Sequence, residues 1–188
     1  MRRGFQSEAT ALAAATREEL GVGPFERLNP RHLAHSLTVP VINLSDMQAE
    51  APSIRHLLTV EPEVFSAVTV FAGPRRTIVH NDGHRVARQN SNLAHELGHA
   101  LLQHPPTPAL DDSGCRIWDQ DIEDEATWLA GCLLMTPEAA LATARGRWTV
   151  EEAAEHFGIS EQMVNYRINK TGARVRVQRA QAARTSLA

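Results

Sequence analysis

The sequence predicts an α+β fold, in which a small β-sheet packs with several helices and a helical extension follows at the C-terminal end. Two observations support this class. Short β-rich runs in the first half of the chain are bounded by turn residues, and longer segments elsewhere repeat their apolar residues with helical spacing. The chain has 188 residues, of which 43% are hydrophobic. This length suffices for one domain, or for one domain with a small appendage.

Two helices are expected before the sheet. Residues 7–20 are rich in alanine, and Ser7 is the expected N-cap. A second, short helix is expected to begin at Asn29 and Pro30 and to run to Leu37, because proline is well tolerated at the first helical position.

Three β-rich runs predict the sheet. Residues 39–44 are expected to form a short apolar strand. Residues 63–71 and 75–80 lie on either side of Ala72-Gly73-Pro74. Glycine and proline between two such runs indicate a β-hairpin.

The motif with the clearest chemistry is His95-Glu96-Leu97-Gly98-His99, within a helix predicted over residues 88–103. On a helix, His95 and His99 lie one turn apart on the same face. Two imidazoles at that spacing can bind one Zn²⁺, and Glu96 could act as general base on the attacking water. A structural histidine pair on a buried helix is the alternative. A small sheet followed by this helix fits the zincin arrangement, in which an edge strand borders the cleft and can bind an extended peptide.

A catalytic zinc site needs a third protein ligand. A second helix is predicted over residues 121–135, after a proline-rich acidic loop over residues 104–119. Glu123 shares a face with small residues that would allow a close approach to the motif helix, whereas Glu125 shares a face with large apolar residues. Both are candidates, and we favour Glu123. The acids in this turn could instead simply favour the positive end of the helix dipole.

Three stretches resemble the ImmA/IrrE-type metallo-endopeptidases: residues 77–82, residues 88–102 and the second helix from Glu123 to Met135. The resemblance implies a zincin-like metallopeptidase domain with one Zn²⁺, or alternatively Mn²⁺, bound by His95, His99 and Glu123. It also implies that the substrate is a specific helix-turn-helix repressor, whose cleavage releases a stress, phage-related or mobile-element operon. The family usually has Asp or Asn where this chain has Thr127, and a hydroxyl would orient a ligand histidine only weakly.

Several other side chains could contribute to such a site. A zincin requires a donor for the oxyanion of the tetrahedral intermediate, and the sequence does not choose among the candidates. They are His80, His84, His104, Arg88 and Tyr166. Each histidine among them is more simply explained as a surface or hydrogen-bonding residue. Cys115 lies in a polar loop and could approach the metal, whereas Cys132 is expected to be a small core residue.

The C-terminal segment has a helix-turn-helix cadence, with a tight turn at Gly158 and Ser160 as the next N-cap. We therefore expect a metallopeptidase domain over residues 1–147 and an extension over residues 148–188. The extension is either a DNA-binding unit or a structural helix pair on the core. DNA binding is the less favoured alternative, because Glu161 would meet phosphates at the start of the second helix.

Charge is unevenly distributed in a chain with a net charge of −3. Residues 111–125 hold seven acids, whereas residues 162–188 hold six basic residues and no acid. A basic segment of this kind is either a solvated surface or a contact for nucleic acid or an acidic partner. No run of 18 apolar residues and no secretory signal are found, and two cysteines are too few for a disulfide scaffold. A reduced, cytoplasmic protein without a membrane span is expected.

The favoured function is a zinc-dependent endopeptidase with a protein substrate. One alternative is a non-proteolytic transcriptional regulator whose metal is structural or sensory. The intact Glu96 argues against this alternative, since a structural site has no need of a general base. Another alternative is a toxin–antitoxin component.

Overall fold

The computed structural model describes residues 1–49, 51, 53–105 and 119–185. This part of the chain forms nine α-helices and one three-stranded sheet, which confirms the predicted α+β class. The helices are α1 (Phe5–Glu19), α2 (Pro30–Ser36), α3 (Ser53–Thr59), α4 (Val86–Leu101), α5 (Gln120–Leu134), α6 (Pro137–Ala144), α7 (Val150–Phe157), α8 (Glu161–Lys170) and α9 (Ala173–Thr185). The strands are β1 (Val41–Asn43), β2 (Ala67–Ala72) and β3 (Arg75–His80).

The sheet has the order β1-β3-β2. β1 runs parallel to β3, and β2 pairs with β3 in the predicted antiparallel hairpin. Gly73 supplies the left-handed conformation of the two-residue turn, with φ of 61°. Both outer strands are shorter than predicted. In particular, β2 begins only at Ala67 because Pro62–Val64 forms a 3-10 turn. Among the described residues β2 is an edge strand.

The N-terminal helix differs from its prediction at one end. Ser7 is not the N-cap: the cap of α1 lies three residues earlier, at Gly4, which has a left-handed conformation (φ 86°). Phe5, which is fully buried, anchors this first turn in the core. The prediction for α2 is confirmed, since the side chain of Asn29 accepts a hydrogen bond from the backbone amide of Arg31 at 3.0 Å.

One core lies between α1, α4, α5 and the sheet. Its fully buried members include a leucine pair from α4, a leucine pair from α5 and one isoleucine of β3. These are Leu93, Leu97, Leu129, Leu133 and Ile78. Cys132 belongs to the same core, as predicted, and is 1% exposed. This packing holds α4 and α5 side by side, next to the helix-facing side of the sheet.

The C-terminal helices share a second core with α4 and α5. Phe157 and Val164, from α7 and α8, are fully buried in it. The turn between these helices is held at Gly158, whose carbonyl accepts a 2.7 Å hydrogen bond from Asn90 of α4. The predicted turn and cap are confirmed: Gly158 has φ of 65°, and Ser160 caps α8. The helix-turn-helix-like pair, α7 and α8, therefore packs directly on α4, which carries the histidine motif, and on α5.

Three helices were not predicted. α3 and α6 are short, at seven and eight residues, and helices of that length give little periodic signal. α9 lies in the basic segment, and among its residues 173–184 only Ala173, at the first position, is buried. A helix without an apolar stripe cannot be recognised from apolar spacing. None of the helices in the described residues is long and apolar enough to cross a membrane.

Candidate metal centre

The site lies where α4 and α5 approach most closely. A Cβ atom added to Gly98 would lie 2.9 Å from the carbonyl oxygen of Ala126, so only glycine fits at this crossing. Ala126 is fully buried beneath it. The small residues that the sequence places beside Glu123 therefore do allow the two helices to approach each other. The close approach brings His95 and His99 of α4 opposite Glu123 of α5.

These three side chains converge on one point. The Nε2 atoms of His95 and His99 lie 3.1 Å apart, and Glu123 Oε2 lies 3.1 Å from His95 Nε2. Glu123 Oε1 lies 3.8 Å from His99 Nε2. One ligand atom from each residue falls within 4.8 Å of the others, so the group could hold a metal ion. A tetrahedral zinc with bonds of about 2.0–2.1 Å needs ligand atoms roughly 3.3 Å apart, and the observed spacing fits that requirement.

The protonation of His99 also suits a cation. Burial, followed by the proximity of His95, lowers the pKa of His99 to about 4. His99 is therefore neutral near pH 7 and keeps a nitrogen lone pair for a metal. All three side chains are half-buried and retain some exposure, at 27% for His95 and 16% for His99. An ion held here would thus keep a side open to water and substrate.

Glu96 faces the sheet beside this group. Its Oε2 accepts a 2.5 Å hydrogen bond from the hydroxyl of Thr69 on β2. Burial raises the pKa of the Glu96 carboxyl, and the Thr69 hydrogen bond opposes that shift. Thr69 was not among the residues expected at the site. Its only sequence signal is its place on the inward face of a strand that alternates between half-buried and exposed residues.

A second set of contacts lies behind the two histidines. Thr127 Oγ1 lies 3.3 Å from His95 Nδ1, at the position where the family usually has Asp or Asn. The contact exists, and it is long for a hydrogen bond that involves a hydroxyl oxygen. His104 contacts the Nδ1 atom of His99 at 2.9 Å.

Glu125, the other candidate for third ligand, lies outside the group. Its Oε2 is 3.6 Å from His104 Nε2, and its Oε1 is 3.9 Å from the Nε of Arg2. The structure therefore brings Glu123, and not Glu125, next to His95 and His99.

The candidates for the oxyanion donor have other contacts. His80 lies against Arg31 and Asn43, and His84 bonds the carbonyl of Pro62. Arg88 pairs with Glu63 at the start of α4, and the ring of Tyr166 lies beside Lys170. His104 lies on the Nδ1 edge of His99, the edge turned away from the convergent group. Cys115 lies outside the described residues.

Comparison with known proteins places the chain in a family. Among curated proteins, no sequence matches it. The family model described as Peptidase M78, IrrE N-terminal-like domain, matches residues 40–169. This match spans well over half of the chain, from β1 to the last turn of α8, and includes the three convergent side chains and Glu96. The chain belongs to the Peptidase M78 family, the metallopeptidases of the ImmA/IrrE type.

Proposed function

We propose that this protein is a zinc-dependent endopeptidase in which His95, His99 and Glu123 hold one Zn²⁺ and Glu96 is the general base. The observation that carries the proposal is the convergence of two imidazole Nε2 atoms and one carboxylate within 4.8 Å, beside the half-buried carboxyl group of Glu96. Nitrogen and oxygen ligands of this kind suit zinc, and Mn²⁺ is a second candidate. Three protein ligands leave a position for the reaction.

When bound, the cation would polarise the peptide carbonyl and lower the pKa of a water molecule. Glu96 would then take a proton from the water as it attacks the carbonyl carbon, and would deliver that proton to the leaving amine. Thr69 holds Oε2 of Glu96 by a hydrogen bond, which fixes the carboxylate beside the proposed metal ligands. A base with a raised pKa is also better suited to return the proton near neutral pH.

The edge strand β2 is the proposed binding surface for the substrate backbone. It lies beside α4, and Thr69 connects it directly to Glu96. An extended peptide that pairs with the edge of β2, which is unpaired among the described residues, would pass next to the catalytic carboxylate. Substrates would therefore be cleaved in a segment that is extended or can become so.

The proposed substrate is a cytoplasmic helix-turn-helix repressor, whose cleavage derepresses a stress or mobile-element response. Support for this substrate comes from membership in the ImmA/IrrE-type family. The position of β2 beside Glu96 adds one requirement, that the cleaved segment of the repressor is extended or can become so.

The test compares host cells that express the full-length wild type with cells that express Glu96→Gln. Newly formed protein N-termini are labelled and identified by mass spectrometry. We expect at least one new N-terminus within a helix-turn-helix repressor in wild-type cells only. The cleavage should be reproduced with purified proteins and stopped by a zinc chelator. Identical N-termini in both strains would show that the chain is not a protease of this mechanism and would favour a non-proteolytic regulator.

A further inference from the structure

His104 occupies a defined place next to the metal helix. The backbone amide of His104 donates to the carbonyl of His99 at 3.0 Å, which closes the end of α4. Arg76 of β3 donates to the carbonyls of both residues, at 3.2 Å and 3.0 Å. His104 is 9% exposed. The backbone on both sides of the His99–His104 contact is thus fixed by hydrogen bonds from the sheet.

The contact between the two rings determines where their protons lie. His99 Nδ1 and His104 Nδ1 are 2.9 Å apart, so one nitrogen carries hydrogen and the other accepts it. The Nε2 atom of His99 faces His95 and Glu123 and must be free of hydrogen to bind a cation. His99 would then carry its proton on Nδ1 and donate it to His104. In turn, His104 would accept at Nδ1 and carry its own proton on Nε2.

Glu125 lies at the far end of this chain of contacts. Its Oε2 is 3.6 Å from His104 Nε2, and the two side chains are only 15% and 10% exposed. This separation is an ion-pair distance and is longer than a hydrogen bond. A carboxylate there favours the tautomer of His104 with hydrogen on Nε2, which is the tautomer that can accept from His99. The hydrogen atoms along this chain of contacts therefore all point the same way, from His99 Nδ1 to His104 and from His104 Nε2 to Glu125. This arrangement leaves Nε2 of His99 without hydrogen, as metal binding requires.

We propose that His104 and Glu125 form a positioning pair that fixes the ring orientation and the tautomer of His99 for metal binding. The inference deepens the proposed function and rests on the metal site assigned there. It also gives Glu125 a role outside the ligand group. His95 has a weaker partner, the hydroxyl of Thr127 at 3.3 Å, so His99 is the better-supported ligand of the two. Partners that orient ligand histidines typically contribute 10–100-fold to metal affinity.

The test uses the full chain and four variants. His104→Phe keeps a ring and removes the acceptor, whereas His104→Asn keeps an acceptor oxygen close to the position of Nδ1. Glu125→Gln removes the carboxylate charge. Asp124→Asn is the matched control, because it removes a carboxylate charge at the neighbouring position. The Asp124 side chain accepts a hydrogen bond from Gln120.

Zinc affinity is measured by competition with a chelator of known affinity. We expect His104→Phe to bind zinc about 10–100-fold more weakly than wild type, with a smaller loss in His104→Asn and in Glu125→Gln. Asp124→Asn should bind as the wild type does. Equal affinity in the wild type, His104→Phe and Glu125→Gln would overturn the proposal.

Nitrogen-15 NMR of the metal-free protein gives an independent result, since long-range couplings report which ring nitrogen carries hydrogen. We expect the Nδ1–H tautomer of His99 in wild type and a mixture of tautomers in His104→Phe. If the wild type bound no zinc, the proposed function would fail, yet these spectra would still decide whether the pair sets the tautomer. Should His104→Phe fail to fold, His104→Asn and Glu125→Gln decide the outcome by both measurements.

Discussion

Gly98 and Ala126 face each other at the crossing of α4 and α5, and a Cβ atom on Gly98 would meet the Ala126 carbonyl oxygen at 2.9 Å. The atom in the way belongs to the backbone, so it cannot turn aside as a flexible side chain could. Since α4 contributes the two histidines and α5 contributes Glu123, this single contact sets the separation of the candidate ligands.

Gly98→Ala should therefore force the two helices apart. We expect a loss of roughly 1–3 kcal/mol in the free energy of unfolding, as for other overpacked cores, together with weaker zinc binding. Denaturant unfolding and zinc titration measure the two effects. Gly23→Ala is the control, because the nearest atoms to its added Cβ, from 3.1 Å, belong to the flexible side chain of Glu26. Wild-type zinc affinity in Gly98→Ala would show that the close approach does not set the site.

Thr69→Val should slow catalysis without loss of metal. The substitution keeps the shape of a strand residue and removes the 2.5 Å hydrogen bond to Glu96. Because hydrogen bonds to charged groups contribute about 1.5–3 kcal/mol, a roughly tenfold or greater fall in kcat is expected. Thr77→Val is the control, since Thr77 pairs with Val70 and lies on the other face of the sheet. Equal losses in both variants would assign the effect to the sheet and not to Glu96.

The basic end of the chain should affect partner choice and not the chemistry. α9 is exposed, and its four arginines carry positive charge without a neighbouring acid in the segment. Changing all four to glutamine preserves Ala173, which is the buried residue among positions 173–184. They are Arg174, Arg176, Arg179 and Arg184.

We expect this variant to cleave the intact repressor more slowly and to cleave a short peptide with the same scissile bond at the wild-type rate. The difference should shrink at high salt, where surface charges are screened. Duplex DNA that the wild type binds specifically, with affinity that falls steeply with salt and is lost in the variant, would instead assign α9 to nucleic acid.

Local patterns account for the parts of the fold that were predicted correctly. The hairpin around Gly73 and the cap at Ser160 depend on residues a few positions apart, and their prediction is confirmed. The predicted start of α1 was wrong because burial of Phe5 overrides the capping preference of Ser7. α9 was missed because it lacks an apolar face.

The candidate site, like the fold, has a part that the sequence predicts and a part that it does not. His95 and His99 are one turn apart on a helix, so their convergence follows from spacing alone. Glu123 could be favoured over Glu125 from the small residues on its face. Thr69 and the contacts of His104 depend on how the sheet packs against α4, which no spacing in the sequence encodes.

Zinc content should separate the two glutamates. Glu123→Ala removes a proposed ligand and should lose most of its zinc on dialysis. Glu125→Ala should retain close to one zinc per chain, although at reduced affinity. Elemental analysis of the two purified proteins measures this directly. The opposite order would make Glu125 the ligand and contradict the assignment.

The most direct test of the central claim is the anomalous difference density of zinc-loaded crystals, recorded on both sides of the zinc absorption edge. We expect one strong peak per chain, bonded to Nε2 of His95, Nε2 of His99 and the carboxylate of Glu123. A peak at other residues, or fully loaded crystals with no zinc at these three side chains, would contradict it.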